Sequence, residues 1–349
     1  MKYSSIVLFA LMVTAGCGNS AGPSPEAGIC GWTVGTGTGN SPVILKTDDG
    51  SEWSFQGMDL VLPENGLSSI SVVDSSTAWA AGGYSEGFGI VLKTTDGGET
   101  WLRMGSEIDI PNSTLCIKAF SSDAAWVGAD DNAIYRTSDG GMTWTDMADP
   151  GYNSYGWQGI SAASPSSIWL VGGNQQQGAI IHSSDGGTLW TSHGGSLISD
   201  WPMISVAAYD QQNIWAVGHG FTIVKSTDGG IEWDLVTPDS LQASDNDANG
   251  ITVLSPTDAW VALDCGNIWR TSDGGVTWEY QTVPAGSGGF FLLRITATDP
   301  NTAWVTGSAS SGTPEGIILH TTDGGTTWTR QDDGTLPFLW DVGFAGEFN

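Results

Sequence analysis

The sequence predicts an all-β fold: a single seven-bladed β-propeller of four-stranded blades, closed by the C-terminal strand completing the first blade. Three observations carry this. A Ser/Thr-x-Asp-x-Gly-x-x-Trp box recurs six times, after a shortened copy over Thr47 to Trp53, with the aspartates at 49, 96, 139, 185, 228, 273 and 323, spaced 43 to 50 residues apart. A second tryptophan ladder runs in step: Trp32, Trp79, Trp126, Trp169, Trp215, Trp260 and Trp304. The chain also opens on what reads as a second strand and ends on an unpaired first strand. A period in the mid-forties suits four short strands per blade.

The N-terminus comes first in the chain. Lys2 precedes an apolar run from Ile6 to Val13, then Thr14-Ala15-Gly16-Cys17. That run is far short of the roughly 20 residues a membrane-spanning helix needs. A charged start, a short apolar stretch and small residues fit an export signal over 1–16. Ala15-Gly16 before Cys17 resembles a bacterial lipobox, with Thr14 where such sites carry Leu. The resemblance implies a lipidated Cys17, followed by a flexible Gly/Pro/Ser-rich tether over 17–28. The address implied is the bacterial cell envelope. Gly18 is not the Asp that holds such proteins at the inner membrane, which points to the outer membrane or cell surface. Ordinary secretion is the alternative.

The propeller then occupies 29–349. Its second unit shows the pattern. Leu67 to Val73 alternates as a strand, Ala78 to Ala81 is a second, Ile90 to Lys93 a third, and Trp101 opens a fourth. Between the last two lies the box, Thr94 to Trp101 (TTDGGETW). Its glycines allow positive φ in a tight hairpin. Its Asp and Ser/Thr can bond the backbone of their own turn. The Trp buries a large apolar face. Asp49, Asp96, Asp139, Asp185, Asp228, Asp273 and Asp323, with Trp53, Trp101, Trp144, Trp190, Trp233, Trp278 and Trp328, therefore read as structural. Gly31 to Val34 opens the first unit at its second strand, and Phe338 to Phe344 supplies the missing first strand. A ring closed in this way has no open edge. Cys30, Cys116 and Cys265 fall in separate units and read as unpaired.

Composition limits the function. Ten Lys+Arg stand against 38 Asp+Glu, for a net charge of −28. That excludes a nucleic-acid footprint and a polybasic membrane patch, so the only membrane contact expected is the N-terminal lipid. Five bases (Lys46, Lys93, Arg136, Lys225 and Arg270) share one repeat position before the box, with His182 and His320 in two other copies. Only Lys118 and Arg294 fall on innermost strands.

The boxes resemble the Asp-box (BNR) repeat family, which includes sialidases, xyloglucanases, sortilin-type receptors and photosystem II assembly/stability factors. The seven similar blades and single-domain size are most similar to the assembly-factor group. That resemblance implies protein binding without catalysis. It also implies a basic, Arg-rich surface for the partner, which this chain lacks. Sialidases resemble one another in clamping a carboxylate with three arginines, and the placement of the bases rules that out. A glycosidase needs only two carboxylates, so a carbohydrate-active enzyme, or a carbohydrate-binding or adhesion protein, is the alternative.

The loops joining blades, and those between second and third strands, share one face of a propeller. Here they carry no Lys or Arg. They carry Tyr84, Glu86, Glu107, Asp109, Asp130, Asp131, Tyr152, Tyr155, Asp332 and Asp333, the candidate binding face. A field of one sign attracts basic proteins or cations, and the tyrosines leave room for a glycan. The reading is a non-catalytic protein-binding or assembly-support module working through this acidic face. No cofactor is expected beyond calcium. Asp245 to Gly250 reads D-x-D-x-N-G, like the start of a calcium loop with Asp245, Asp247 and Asn249 as ligands, but Pro256 stands at its twelfth position.

Overall fold

The computed structural model describes residues 28–57, 66–83, 89–105, 113–152, 154–174, 176–198, 202–238, 246–284, 289–310 and 315–346. Among the described residues, twenty-eight strands form seven four-stranded antiparallel sheets arranged as a propeller. Blade 1 is ordered β28 (Phe338–Phe344), β1 (Gly31–Thr36), β2 (Pro42–Thr47), β3 (Ser54–Gln56). The last strand of the chain is thus the innermost strand of the first blade. It pairs from Gly31↔Phe344 to Thr36↔Phe338, with a bulge at Val34/Gly35. Blade 2 is β4 (Leu67–Val72), β5 (Ala78–Gly82), β6 (Ile90–Thr94) and β7 (Leu102–Met104). Blades 3 to 7 take the later strands four at a time. The signal segment, Cys17 and nearly all of the tether lie outside the described residues, as do Tyr84, Glu86, Glu107, Asp109 and Asp245.

Each sheet packs both faces against neighbouring blades, so its second strand is buried almost throughout. Ala78–Gly82 (AWAAG) is buried at every position. The core is therefore a ring of inter-blade clusters. One joins Trp32, Val34 and Ile44 of blade 1 to Leu67, Ile70 and Leu92 of blade 2. The two tryptophan ladders meet at these interfaces. Trp79 lies edge-on to Trp144 of the next blade at 6.3 Å, and the same pairing recurs as Trp126–Trp190, Trp169–Trp233, Trp215–Trp278 and Trp260–Trp328. Edge-to-face geometry at this spacing suits the ring quadrupoles. At the closing seam Phe344 stacks on Trp304 at 3.9 Å and meets Trp53 edge-on.

The bases before the boxes are used inside the ring. Lys46, Lys93, Arg136, Lys225 and Arg270 sit 4.7–5.5 Å from the rings of Trp32, Trp79, Trp126, Trp215 and Trp260. Four of them also reach the next blade, where Lys93, Arg136, Lys225 and Arg270 donate to the carbonyls of Gly140, Gly186, Gly274 and Gly324. In blades 4 and 7 the position holds His182 and His320, stacked on Trp169 and Trp304 at 4.1 and 4.5 Å. Burial pushes both imidazoles down to about 4, helped at His182 by the neighbouring His193. They are neutral at pH 7.

In five of the seven second strands a glycine stands three residues after the Trp (Gly35, Gly82, Gly172, Gly218 and Gly307), and its placement has a steric cause. The innermost strand bulges toward the second strand's end. A Cβ on Gly35, Gly82 or Gly172 would fall within 2.2 Å of a carbonyl oxygen of the innermost strand or of the residue just before it.

Candidate functional site

The strand directions define two faces. Gly31, at the start of β1, pairs with Thr47, the first residue of blade 1's box. The boxes and the turns between first and second strands therefore lie on one face, the box face. The inter-blade loops and the turns between second and third strands lie on the other, the loop face.

The box turns are locked from within. In blade 3, Asp139 Oδ1 accepts from the Thr143 amide (2.9 Å) and the Thr137 hydroxyl (2.9 Å), while Thr137 Oγ1 accepts from the Gly141 amide at 3.0 Å. The Thr143 hydroxyl, its amide and the Thr137 hydroxyl hold the Asp139 carboxyl down at about 2. The Ser/Thr-to-Asp bond recurs in all seven boxes. These carboxylates are occupied in holding their turns.

The loop face is built differently. Over blades 3 to 5 it opens into a groove of about 550 Å³ lined by Asp130, Ser154, Gly156, Gln158, Gly173, Asn174, Gln176 and Pro202. Asp130 and Asp131 come from the turn between β9 (Ala125–Ala129) and β10 (Ile134–Thr137). Burial, then the Asp131 charge, raises the Asp130 carboxyl. Beside it, Tyr152, Tyr155 and Trp157 form a triangle of rings 5.6–6.1 Å apart. Tyr155 donates its hydroxyl to Gln177 Oε1 at 2.9 Å.

Asn132 organises this corner. It sits buried at positive φ (62°), takes the Trp157 indole N–H on Oδ1 at 3.2 Å, donates its amide to Tyr155 O, and gives its side-chain N–H to Asp149 O. It was missed from the sequence. An Asp-Asp-Asn run tolerant of positive φ was its one local signal, and that signal does not name its partners.

The structure brings Asp130, Asp131, Tyr152 and Tyr155 together, but not Asp332 and Asp333. Those two lie across the ring, beyond blade 7. Asp332 is turned inward: Oδ2 accepts from the Ile318 amide (3.0 Å) and Oδ1 from Arg330 Nε (2.7 Å). Arg330 also pairs with Glu315 at 3.0 Å. Asp333 is exposed and caps its own turn through the Thr335 hydroxyl and amide, which lower its carboxyl.

The calcium-loop residues go to separate partners. Asp247 accepts from His219 Nδ1 (2.6 Å) and the Gly220 amide (3.0 Å). Asn249 is buried on β20 (Ala248–Val253) and donates to Leu292 O at 2.9 Å. Among the described residues no three His, Cys, Asp or Glu converge on a point a metal could occupy. The Asp247 hydrogen bond raises His219 above the ordinary imidazole range.

The central channel narrows to about 110 Å³ among the innermost strands, which contribute Lys118, Arg294 and Asp341. Asp341 is buried. It takes the Ser69 hydroxyl and the Ile70 amide on Oδ2, both at 2.9 Å, and lies 3.9 Å from Arg294 Nε. It ties blade 1 to blade 2. Both this channel and the groove have one carboxylate among their described lining residues, where glycoside cleavage takes two.

A family model for the photosynthesis system II assembly factor YCF48 matches residues 27–151 and 240–337. The chain belongs to the YCF48 family. It is 32% identical over 108 residues to the photosystem II assembly lipoprotein Ycf48 of Synechococcus sp. (strain CC9902), covering 30% of this chain and 31% of that protein. It is 24% identical over 324 residues to the chloroplastic photosystem II stability/assembly factor HCF136 of Arabidopsis thaliana, covering 88% of this chain and 68% of that one. The matched stretch spans 59% of the Oryza sativa HCF136, so the length shared with these relatives runs from about a third to two thirds. Among solved structures, YCF48 bound to a D1 peptide superposes with a TM-score of 0.65 at 22% identity, over 85% of this chain and 89% of that one. A glycoside hydrolase of Niastella koreensis superposes at 0.53 and 13% identity, over 90% and 68%. At these identities the structures share the fold.

Proposed function

We propose that this chain is an exported, lipid-anchored, non-catalytic binding module that holds a protein partner on its acidic loop face. The observation that carries the reading is the groove over blades 3 to 5, with Asp130 on one wall and amide side chains around it. An extended polypeptide with a Lys or Arg in reach of Asp130 and Asp131 fits this lining. Gln158, Asn174 and Gln176 supply donors and acceptors for its backbone. Family membership supports a protein as the ligand, since a related propeller has been solved with a D1 peptide. Lipidation at Cys17 draws support from the Synechococcus relative, which is named a lipoprotein. The family's Arg-rich surface has no counterpart among the nine bases after residue 16. The partner of this chain is accordingly of opposite charge to one held by such a surface.

The test is crosslinking of the acylated full-length protein in its own cells, with neighbours identified by mass spectrometry. The control is Asp130→Lys with Asp131→Asn, which turns the two negative charges into one positive charge and leaves the Asp332 turn alone. A partner captured by the native chain and lost from the control supports the reading. The same neighbours from both would sink the acidic-groove assignment. Capture of glycan but no protein would favour the carbohydrate alternative, to which the amide-lined groove also lends itself.

A further inference from the structure

The described chain begins on the box face. Cys30 Sγ lies 3.8 Å from both Asp48 Oδ1 of blade 1's box and Ser75 O of blade 2's first turn. Ile29 packs against Gly50 of the same box, so that a Cβ there would come within 3.3 Å of it. A tether running back to Cys17 therefore leaves from this face. Eleven residues, 18–28, can span at most about 40 Å.

The same face carries the most exposed apolar side chains among the described residues. Met142, Leu189, Ile231 and Val276 are 73, 72, 82 and 82% exposed. They occupy the box tips of four consecutive blades, 3 to 6. The fold does not call for them. The tips of blades 2 and 7 carry Glu99 and Thr100, and Thr326 and Thr327, and make the same turn, while blade 1, whose box is one residue shorter, carries Ser51 and Glu52. Exposed apolar side chains grouped on one face mark an interaction surface.

We propose that the box face docks on a lipid bilayer surface, with Met142, Leu189, Ile231 and Val276 entering the headgroup boundary. This rests on the lipid-anchor reading, because the tether is what brings that face to the membrane. The box carboxylates sit on the same face and stay ionised, so the surface that fits is zwitterionic and not anionic. Docking in this orientation turns the loop face and its groove away from the bilayer, toward a partner.

The experiment uses the full-length protein as processed in its own cells, in phosphatidylcholine vesicles that contain a brominated lipid. In a Cys265→Ser background, Met142→Cys or Gln176→Cys carries an environment-sensitive dye, reporting the box face and the loop face respectively. The expected result is quenching at position 142 several-fold above that at 176. Adding Leu189→Ser, Ile231→Ser and Val276→Ser, or a quarter of phosphatidylglycerol, should reduce the difference. Equal quenching at both positions, with the protein still sedimenting with vesicles, overturns the docking and leaves the anchor standing. Failure to sediment, with Cys17 unmodified by mass spectrometry, overturns the anchor and the docking together. Protection of the dye at 142 in the vesicle-free Cys17→Ser chain assigns the apolar tips to a protein contact and also overturns the proposal.

Discussion

On the box face, Thr137, Asp139 and Gly141 of blade 3 make bonds that recur around the ring. On the loop face, Asn132 of the same blade makes contacts peculiar to blades 3 and 4. It joins Trp157, Tyr155 and Asp149 in an arrangement set by two neighbouring loops. The difference lies in what each face must do. The box turn satisfies its own backbone and clamps its blade to the preceding one, so every copy meets the same requirement. A loop that closes no turn of the repeat is free to vary, and binding surfaces are drawn from such segments. Substitutions should therefore separate the two: stability tracks the box side and the interfaces behind it, and partner binding tracks the loops.

The largest effect is expected at an inter-blade tryptophan. Trp79 is fully buried, donates its indole N–H to Ser121 O at 3.1 Å, and lies under Lys93 and against Trp144. Trp79→Ala should cost about 3–5 kcal/mol, read as a lowered unfolding midpoint in urea. A loss below about 1 kcal/mol would mean that the ring is not held by these contacts.

Next comes acid. His182 and His320 have folded-state pKa values of about 4, against an ordinary value of 6.5. Between those limits the unfolded chain binds more protons, so stability falls as pH drops from 6.5 to 4 and this contribution levels off below. After allowance for solvent screening the loss is about 1–2 kcal/mol per histidine. His219 acts oppositely: Asp247 raises its pKa, so its contribution is present at low pH and fades as pH rises through the raised value. Exchanging both stacked histidines for the cations used elsewhere, His182→Lys with His320→Arg, should flatten the slope between pH 4 and 6.5. Thermal scans across that range check it, and an unchanged slope would remove the histidines as its source.

Much of the box side was legible in the sequence. Its residues recur at a fixed spacing, and the closing strand at Phe338–Phe344 was readable because blade 1 lacked one. The loop face was not legible to the same depth. Asp332 and Asp333 are adjacent and chemically identical, yet one is locked between Arg330 and the Ile318 amide while the other faces water. Asp247 reads as a metal ligand by its neighbours in the chain, and the structure gives it to His219, 28 residues away. Composition told which charge dominates the loops. Only tertiary contacts told which carboxylates are already used.

A smaller effect should separate the box from the core behind it. Thr137 is buried, and its hydroxyl accepts the Gly141 amide while donating to Asp139. Thr137→Val keeps the shape and strands that amide. It should cost about 1–2 kcal/mol, well below Trp79→Ala, and it should leave partner capture unchanged. Loss of capture here would mean that the two faces are coupled through the blade.

The smallest stability change is expected where the functional change is greatest. Asp130 is half-buried, and burial, then the neighbouring Asp131 charge, disfavours its ionised form. Replacing them relieves that repulsion, so Asp130→Asn with Asp131→Asn should leave the unfolding midpoint within about 0.5 kcal/mol of the native value, in the range of ordinary surface substitutions. Asn also tolerates the positive φ of 53° found at Asp131. If the groove binds a basic segment, the same change should weaken capture, and more so at low ionic strength, where the lost attraction is least screened. Titrating the native protein and the double variant against the captured partner at two salt concentrations measures this. A native complex indifferent to salt, with an affinity the variant shares, would show that the carboxylates are solvated surface, and the asymmetry between the two faces would then be one of stability alone.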